Sequence, residues 1–243
     1  MGADYANQIN QQLPIVRDPE INRYINVLGD SIARLTSRGQ ELDFQFFVVN
    51  YREVNAFAVP GGFIYINRGL IERAQNMSQL AGVLGHEIGH VVRRHSIEQM
   101  QKANNANIGV TLACVLTRIC ESQAAQAAIQ IGGTAAFAKF SRDDEREADQ
   151  EAITNTVRAG ISPEGVPEMF RILLNERNRS ATAVDAWFAT HPLEEERIQN
   201  TEAMVAQVPA AVRRTLSRDS QNFQTFKRRV ASLPAPTSRQ GND

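Results

Sequence analysis

Apolar positions along the 243-residue chain follow two different periods. Ile21, Tyr24, Ile25, Leu28 and Ile32 recur at the three-and-four spacing of one helix face. Asp18-Pro19-Glu20 provides a start signal for that helix, and Ser37-Arg38-Gly39 a stop. Phe44 to Val49, Asn55 to Val59 and Phe63 to Ile66 are instead short β-prone runs. Pro60-Gly61-Gly62 between the last two predicts a hairpin, so these runs should form a small sheet. Beyond Asn67-Arg68-Gly69 the helical period takes over. A short helix is expected over Leu70 to Ala74, then a long one from Gln79 to about Lys102 capped by Ser78. Ser141 should cap a helix running to Arg158 and ended by Gly160. Pro163 opens another that carries Val166, Met169, Phe170, Leu173 and Leu174, and Pro192 begins one that reaches Val208. Residues 1–13 read as a polar, loose lead-in. The pattern predicts an α+β fold, mostly helical with one small β-sheet.

Composition narrows the classes. With 42% hydrophobic residues the chain can bury a core of its own. Lys and Arg total 26 against 27 Asp and Glu, a net charge of −1, so no broad basic field marks a nucleic-acid partner. The longest apolar stretch, residues 108–116, falls far short of the roughly 20 residues of a membrane helix. No charged and then apolar leader opens the chain. Cys114 and Cys120 would stand about 9 Å apart along a straight helix, so a disulfide between them requires a break. Residues 103–138 read as a helical hairpin packed on the core, or as a mobile lid or membrane-facing surface. Residues 213–243 are basic and Pro/Ser/Gly-rich, expected to form a solvated, partly disordered extension with possible peripheral membrane contact. Residues 1–212 would then form the main domain.

The chemistry concentrates in His86-Glu87-Ile88-Gly89-His90. Histidines four apart lie on one helix face and can grip one ion, with Glu87 placed to act as a base without being a ligand. The helix around them is otherwise apolar, and buried polar groups of this kind need partners. Arg93 and Ser96 stand where the longer HExxHxxGxxH pattern needs Gly and His, which excludes that class. On a continuous helix His95 would sit about 140° round from His90, as a polar residue away from the ion. Glu145 and Asp149, again four apart, offer a third ligand and a carboxylate to receive a ligating histidine's N–H; the alternative is a solvated acidic run. His191, before Pro192, sits in what should be extended backbone and is available to the site. Arg197 follows on the next helix and is placed to stabilise an oxyanion.

The set of motifs resembles metallopeptidase family 48. It comprises His86-Glu87-Ile88-Gly89-His90, then Ser141-Arg142-Asp143-Asp144-Glu145-Arg146-Glu147-Ala148-Asp149, then His191-Pro192 with Arg197. Asn55 to Ile66 and Arg68-Gly69-Leu70 add to the likeness. It covers roughly residues 14–206 and lies nearest the family's soluble periplasmic branch. The resemblance implies a zincin-like (gluzincin) endopeptidase with one zinc on His86, His90 and Glu145, and Glu87 as base. It also implies that His191 can take the fourth zinc position and hold the enzyme latent. The chain reads as a stand-alone catalytic domain, periplasmic or attached to a membrane on that side. Its expected partner is unfolded or misassembled polypeptide, lying as an added strand beside Asn55, Ala56, Phe57, Ala58 and Val59; an ordinary hairpin is the alternative for that segment. The competing function is a chaperone-like binding module with a closed, mainly structural zinc site.

Overall fold

The computed structural model describes residues 2–106, 139–179, 181–192 and 195–236. Its three strands are β1 (Gln45–Val49), β2 (Ala56–Val59) and β3 (Phe63–Asn67), in the order β1-β3-β2. β1 runs parallel to β3, and β2 pairs antiparallel with β3 through the Pro60-Gly61-Gly62 turn. Gly61 and Gly62 both have positive φ there, 104° and 96°, as so tight a turn requires. One face of the sheet carries an aromatic ladder in which Phe47 and Phe57 stack on Tyr65 at 5.1 and 4.9 Å. The other face joins the main core.

Helix α2 (Pro19–Ala33) starts as the sequence predicts. The Asp18 side chain accepts from the backbone N–H groups of Glu20 and Ile21, with Pro19 in the first turn. Its buried face packs on β1, and Asn26 exchanges two 3.0 Å hydrogen bonds with the backbone of Phe46. Val16 N–H adds a bond to Val48 O. Both interactions cover the outer edge of β1. Among the described residues β2 has no second strand partner, so it is the open edge of the sheet.

Helix α3 (Arg68–Arg73) leads into α4 (Met77–Arg93), which runs through the middle of the core with every residue from Ser78 to Val92 buried. After the chain returns, α6 (Arg142–Arg158) lies against α4, followed by α7 (Gly165–Arg179), α8 (Ala181–Thr190) and α9 (Glu195–Gln207). Ser141 caps α6 in a capping box with Asp144, as expected. The contact between α4 and α6 is unusually close. A Cβ added at Gly89 would come within 2.9 Å of Ala148 Cα, and one at Gly85 within 3.0 Å of Ala152 Cα. Glycine on one helix and alanine on the other let the two backbones meet.

Several expectations need correction. Residues 2–12 form helix α1 (Gly2–Gln12) rather than a loose lead-in. Ile9 and Leu13 pack beneath the aromatic ladder, and the Tyr65 hydroxyl lies 3.0 Å from Asn10 Oδ1. The long helix predicted to Lys102 breaks at Arg94, whose φ of 66° turns the chain left-handed before α5 (His95–Ala106) begins. Its cap is Asn76, which accepts from Gln79 N–H, not Ser78. The basic stretch after residue 213 is not simply solvated. Beyond a short α10 (Ala210–Arg213), α11 (Gln221–Ala231) buries Phe223, Phe226 and Val230, with Phe226 stacked on Tyr24 at 4.4 Å. The buried Arg68 guanidinium donates to the carbonyls of Ala231, Leu233 and Pro234 and ties down the end of α11. The spacing of those apolar residues was masked by the arginines between them. Cys114, Cys120 and the segment read as hairpin or lid, beyond residue 106, lie outside the described residues.

The close approach of α4 and α6 makes a direct prediction. Gly89→Val should destabilise the metal-free chain by about 1–3 kcal/mol through overpacking. Val27→Ala, at a position 62% exposed, should stay within about 0.5 kcal/mol of the parent. Urea unfolding of both variants measures the difference; equal midpoints would mean that the two helices have room to spare.

Candidate metal centre

Helix α4 places His86 and His90 one turn apart, α6 brings Glu145 and Asp149 to face them, and His191 follows the end of α8. All five side chains are buried. His86 Nε2 lies 3.0 Å from His90 Nε2 and 3.3 Å from His191 Nδ1. The Glu145 carboxylate lies 2.9 Å from His191 Nδ1, 3.4 Å from His90 Nε2 and 3.6 Å from His86 Nε2. Corners of a tetrahedron with arms of about 2.0–2.1 Å stand roughly 3.3–3.4 Å apart. The observed separations bracket that value, so the donor set fits a single small cation.

Asp149 fixes the proton of His86. Asp149 Oδ1 lies 2.9 Å from His86 Nδ1 and, as a carboxylate, accepts its proton. The Nε2 atom of His86 is then a lone pair, and it points at His90 Nε2, His191 Nδ1 and an oxygen of Glu145. Burial pushes the His86 imidazole down to about 3, against the pull of Glu145 and Asp149, so it stays neutral. A cation among these atoms would take the lone pairs of His86, His90 and His191; without one, His90 Nε2–H can donate to His86 Nε2 and His191 Nδ1–H to Glu145.

Arg197 closes the set from α9. Its Nε and Nη2 donate to both oxygens of Asp149 at 2.7 Å, and Nη1 pairs with Glu145. Nη1 also reaches the carbonyl of Pro192 at 3.3 Å, and the guanidinium lies over the Phe170 ring, 4.4 Å from its centroid. Burial is the largest single influence and would raise the carboxyl pKa values of Glu145 and Asp149, but Arg197 together with the neighbouring histidines outweighs it and holds both below the usual range. Glu87 has no such partner. Its carboxylate accepts from Ala58 N–H on β2, and Oε1 has no hydrogen bond; His191 Nε2 lies 3.5 Å from it. Burial pushes Glu87 up to about 7.

Three features escaped the sequence reading. His95 does not point away from His90. The left-handed turn at Arg94 folds it back, and its Nδ1 lies 2.9 Å from His90 Nδ1. Phe140 stacks on the His90 ring at 3.9 Å, and Trp187 stacks on His191 at 4.5 Å. Both aromatics adjoin motifs, Phe140 just before Ser141 and Trp187 one turn before His191, which is the only signal they carried. His191 itself is not in extended backbone: its N–H bonds Trp187 O at 2.9 Å, continuing the last turn of α8. In the segment Asn55–Val59, Ala58 N–H is the backbone partner of Glu87.

An HExxH helix, a carboxylate from a second helix and a small sheet with one open edge define a metallopeptidase. Residues 19–205 match peptidase family M48, and the chain belongs to that family. It is 31% identical over 241 residues to the beta-barrel assembly-enhancing protease of Escherichia coli (strain K12), covering 96% of this chain and 48% of that protein. Two further E. coli relatives are metalloprotease YcaL, 33% identical over 164 residues (65% of this chain, 63% of the relative), and metalloprotease LoiP, 30% identical over 176 residues (72% and 65%). The chain spans about half the length of the beta-barrel assembly-enhancing protease it matches. No helix among the described residues is long and apolar enough to cross a membrane.

The buried groups predict an unusual acid profile for the metal-free chain. His86 moves from 6.5 when unfolded to about 3 when folded, so over that window the unfolded state holds the extra proton and stability falls as pH falls. Glu87 moves from 4.5 to about 7, so the folded state holds the extra proton and stability rises as pH falls from 7 to 4.5. Between 4.5 and 6.5 the two offset each other, which leaves His95, also lowered by burial, to withdraw stability as pH falls. Below 4.5, Glu145 and Asp149, both depressed by folding, add to His86. Urea midpoints against pH should therefore decline from 6.5 to 4.5 by no more than one proton's slope and then drop more steeply than the roughly 1.4 kcal/mol per pH unit of one proton. A decline steeper than one proton's slope between 6.5 and 4.5 would contradict the burial of Glu87.

Proposed function

We propose that this chain is the zinc endopeptidase domain of a protein that cleaves unfolded or misassembled envelope polypeptides, and that His191 holds it latent. The observation that carries this reading is the convergence of His86, His90, Glu145 and His191 at tetrahedral spacing with Glu87 beside them. Imidazoles plus one carboxylate in that geometry favour zinc over harder ions. When bound, zinc supplies Lewis acidity at the scissile carbonyl and the attacking water. Glu87 accepts the proton of that water and passes it to the leaving amine. Its N–H contact from Ala58 keeps it turned toward the edge of β2. Asp149 fixes the tautomer of His86. Arg197 acts best as a positioning residue rather than an oxyanion contact, because Asp149, Glu145 and the Pro192 carbonyl already engage its nitrogens.

His191 supports latency by where its ring lies. Nδ1 fills the fourth corner while Nε2 faces the one unbonded oxygen of Glu87. A substrate carbonyl and water need that same space. Extended polypeptide would add along Asn55–Val59, reading backbone more than side chains. The covered edge of β1 leaves β2 as the edge for it. The periplasmic setting, with peripheral membrane contact and no nucleic-acid partner, draws support from the relative named for β-barrel assembly and from the near-zero net charge.

The four-donor set also suits a second reading, a chaperone-like module with a structural zinc, since structural sites leave no open corner. Glu87 weighs against it: a buried carboxylate oxygen without a hydrogen bond is costly in a site with no chemistry. Cleavage of unfolded casein by the zinc-loaded chain separates the two. Glu87→Gln should lose at least about 100-fold in rate with zinc content unchanged. His191→Ala should exceed the parent by about the reciprocal of its open fraction. Trp187, the chain's one tryptophan, should change its emission when His191 is removed. If neither the parent nor His191→Ala cleaves while one zinc stays bound, the binding-module reading wins.

A further inference from the structure

We infer that His95 is a positioning residue for the metal ligand His90: it accepts the Nδ1 proton of His90 and so holds the Nε2 lone pair on the ion. The inference rests on the metal reading above and adds a residue to it. His90 Nδ1 and His95 Nδ1 are 2.9 Å apart and both rings are buried. A hydrogen bond between two nitrogens needs one proton, not two. If His90 Nε2 is to be a ligand, the proton sits on His90 Nδ1, and His95 Nδ1 is the acceptor. His95 then carries its own proton on Nε2, which faces Glu147 Oε2 at 3.7 Å and Asp144 Oδ1 at 4.0 Å across on α6. The chain of protons runs in one direction, from the ligand outward to carboxylates.

The backbone supports the same assignment. Arg94 is the one non-glycine residue with positive φ among those described. A left-handed arginine is disfavoured relative to continuing the helix. Continuing the helix would carry His95 about 140° round from His90. The strained turn swings His95 back onto His90, and strain of this kind gathers at functional positions. The two helix ligands are then served alike, His86 by Asp149 and His90 by His95, each backed by carboxyl groups or a guanidinium from the neighbouring helices.

Zinc affinity, read by competition with a chromophoric chelator, tests this without relying on proteolysis. His95→Leu removes the acceptor, and the lost outer partner should weaken zinc binding about 10–100-fold. His95→Asn places Oδ1 where Nδ1 stood, and it should retain affinity to within about threefold, on the scale of the same outer-partner effects. Nitrogen-15 NMR of the zinc-loaded parent supplies a readout independent of any variant's folding: His90 should carry its proton on Nδ1, and His95 on Nε2. Parent-like affinity in His95→Leu, equal loss in both variants, or a proton on His95 Nδ1 would overturn the inference while leaving the metal site standing. A parent chain that binds no zinc would overturn the metal reading itself, and this inference with it.

Discussion

The close contact between the HExxH helix and α6 is the constraint on which the rest depends. Glutamate and aspartate side chains are short, and Glu145 and Asp149 reach the histidines only because the two helix backbones nearly touch at Gly85–Ala152 and Gly89–Ala148. Three of those four small residues directly precede functional ones: Gly85 precedes His86, Gly89 precedes His90, and Ala148 precedes Asp149. One stripe of each helix sets the distance, and the adjoining stripe uses it. The same contact buries the site, and burial makes each charge in it depend on a partner.

Charge balance follows from that burial. Around the site, among the described residues, Glu87, Glu145 and Asp149 share one buried guanidinium, that of Arg197. Arg197 helps hold Glu145 and Asp149 as carboxylates but makes no direct contact with Glu87, and there burial prevails and drives the carboxyl up to about 7. A divalent cation at the four-donor point would balance the three carboxylates against Arg197. Buried ions are tolerated when paired and hydrogen-bonded. Here the pairs come from α4, α6, α9 and the end of α8, so the metal would also hold four elements together.

Much of this was legible before any coordinates. Helix α2 was clear because an Asp-Pro start signal, a helical period and a glycine stop agreed. His86, His90, Glu145 and Asp149 were legible because i, i+4 spacing places both members of each pair on one helix face. What failed did so for local reasons. The break at Arg94 was hidden because arginine gives no left-handed signal, and missing it put His95 on the wrong side of the helix. The α11 packing was hidden by arginines spaced between Phe223, Phe226 and Val230. Trp187 and Phe140 were missed because a ring that packs a ligand leaves no spacing rule. His191 was placed in the site, yet its helical backbone was not foreseen, since a following proline ordinarily favours extended structure.

The central claim is that one small cation sits among four protein donors, three of them imidazoles. X-ray absorption at the zinc edge of the purified, zinc-loaded chain tests it most directly. The account predicts one zinc per chain, four nitrogen or oxygen ligands at about 2.0–2.1 Å, and outer-shell scattering from three imidazoles that drops to two in His191→Ala. Six-fold coordination, two imidazoles in the parent, or zinc well below one per chain would contradict it.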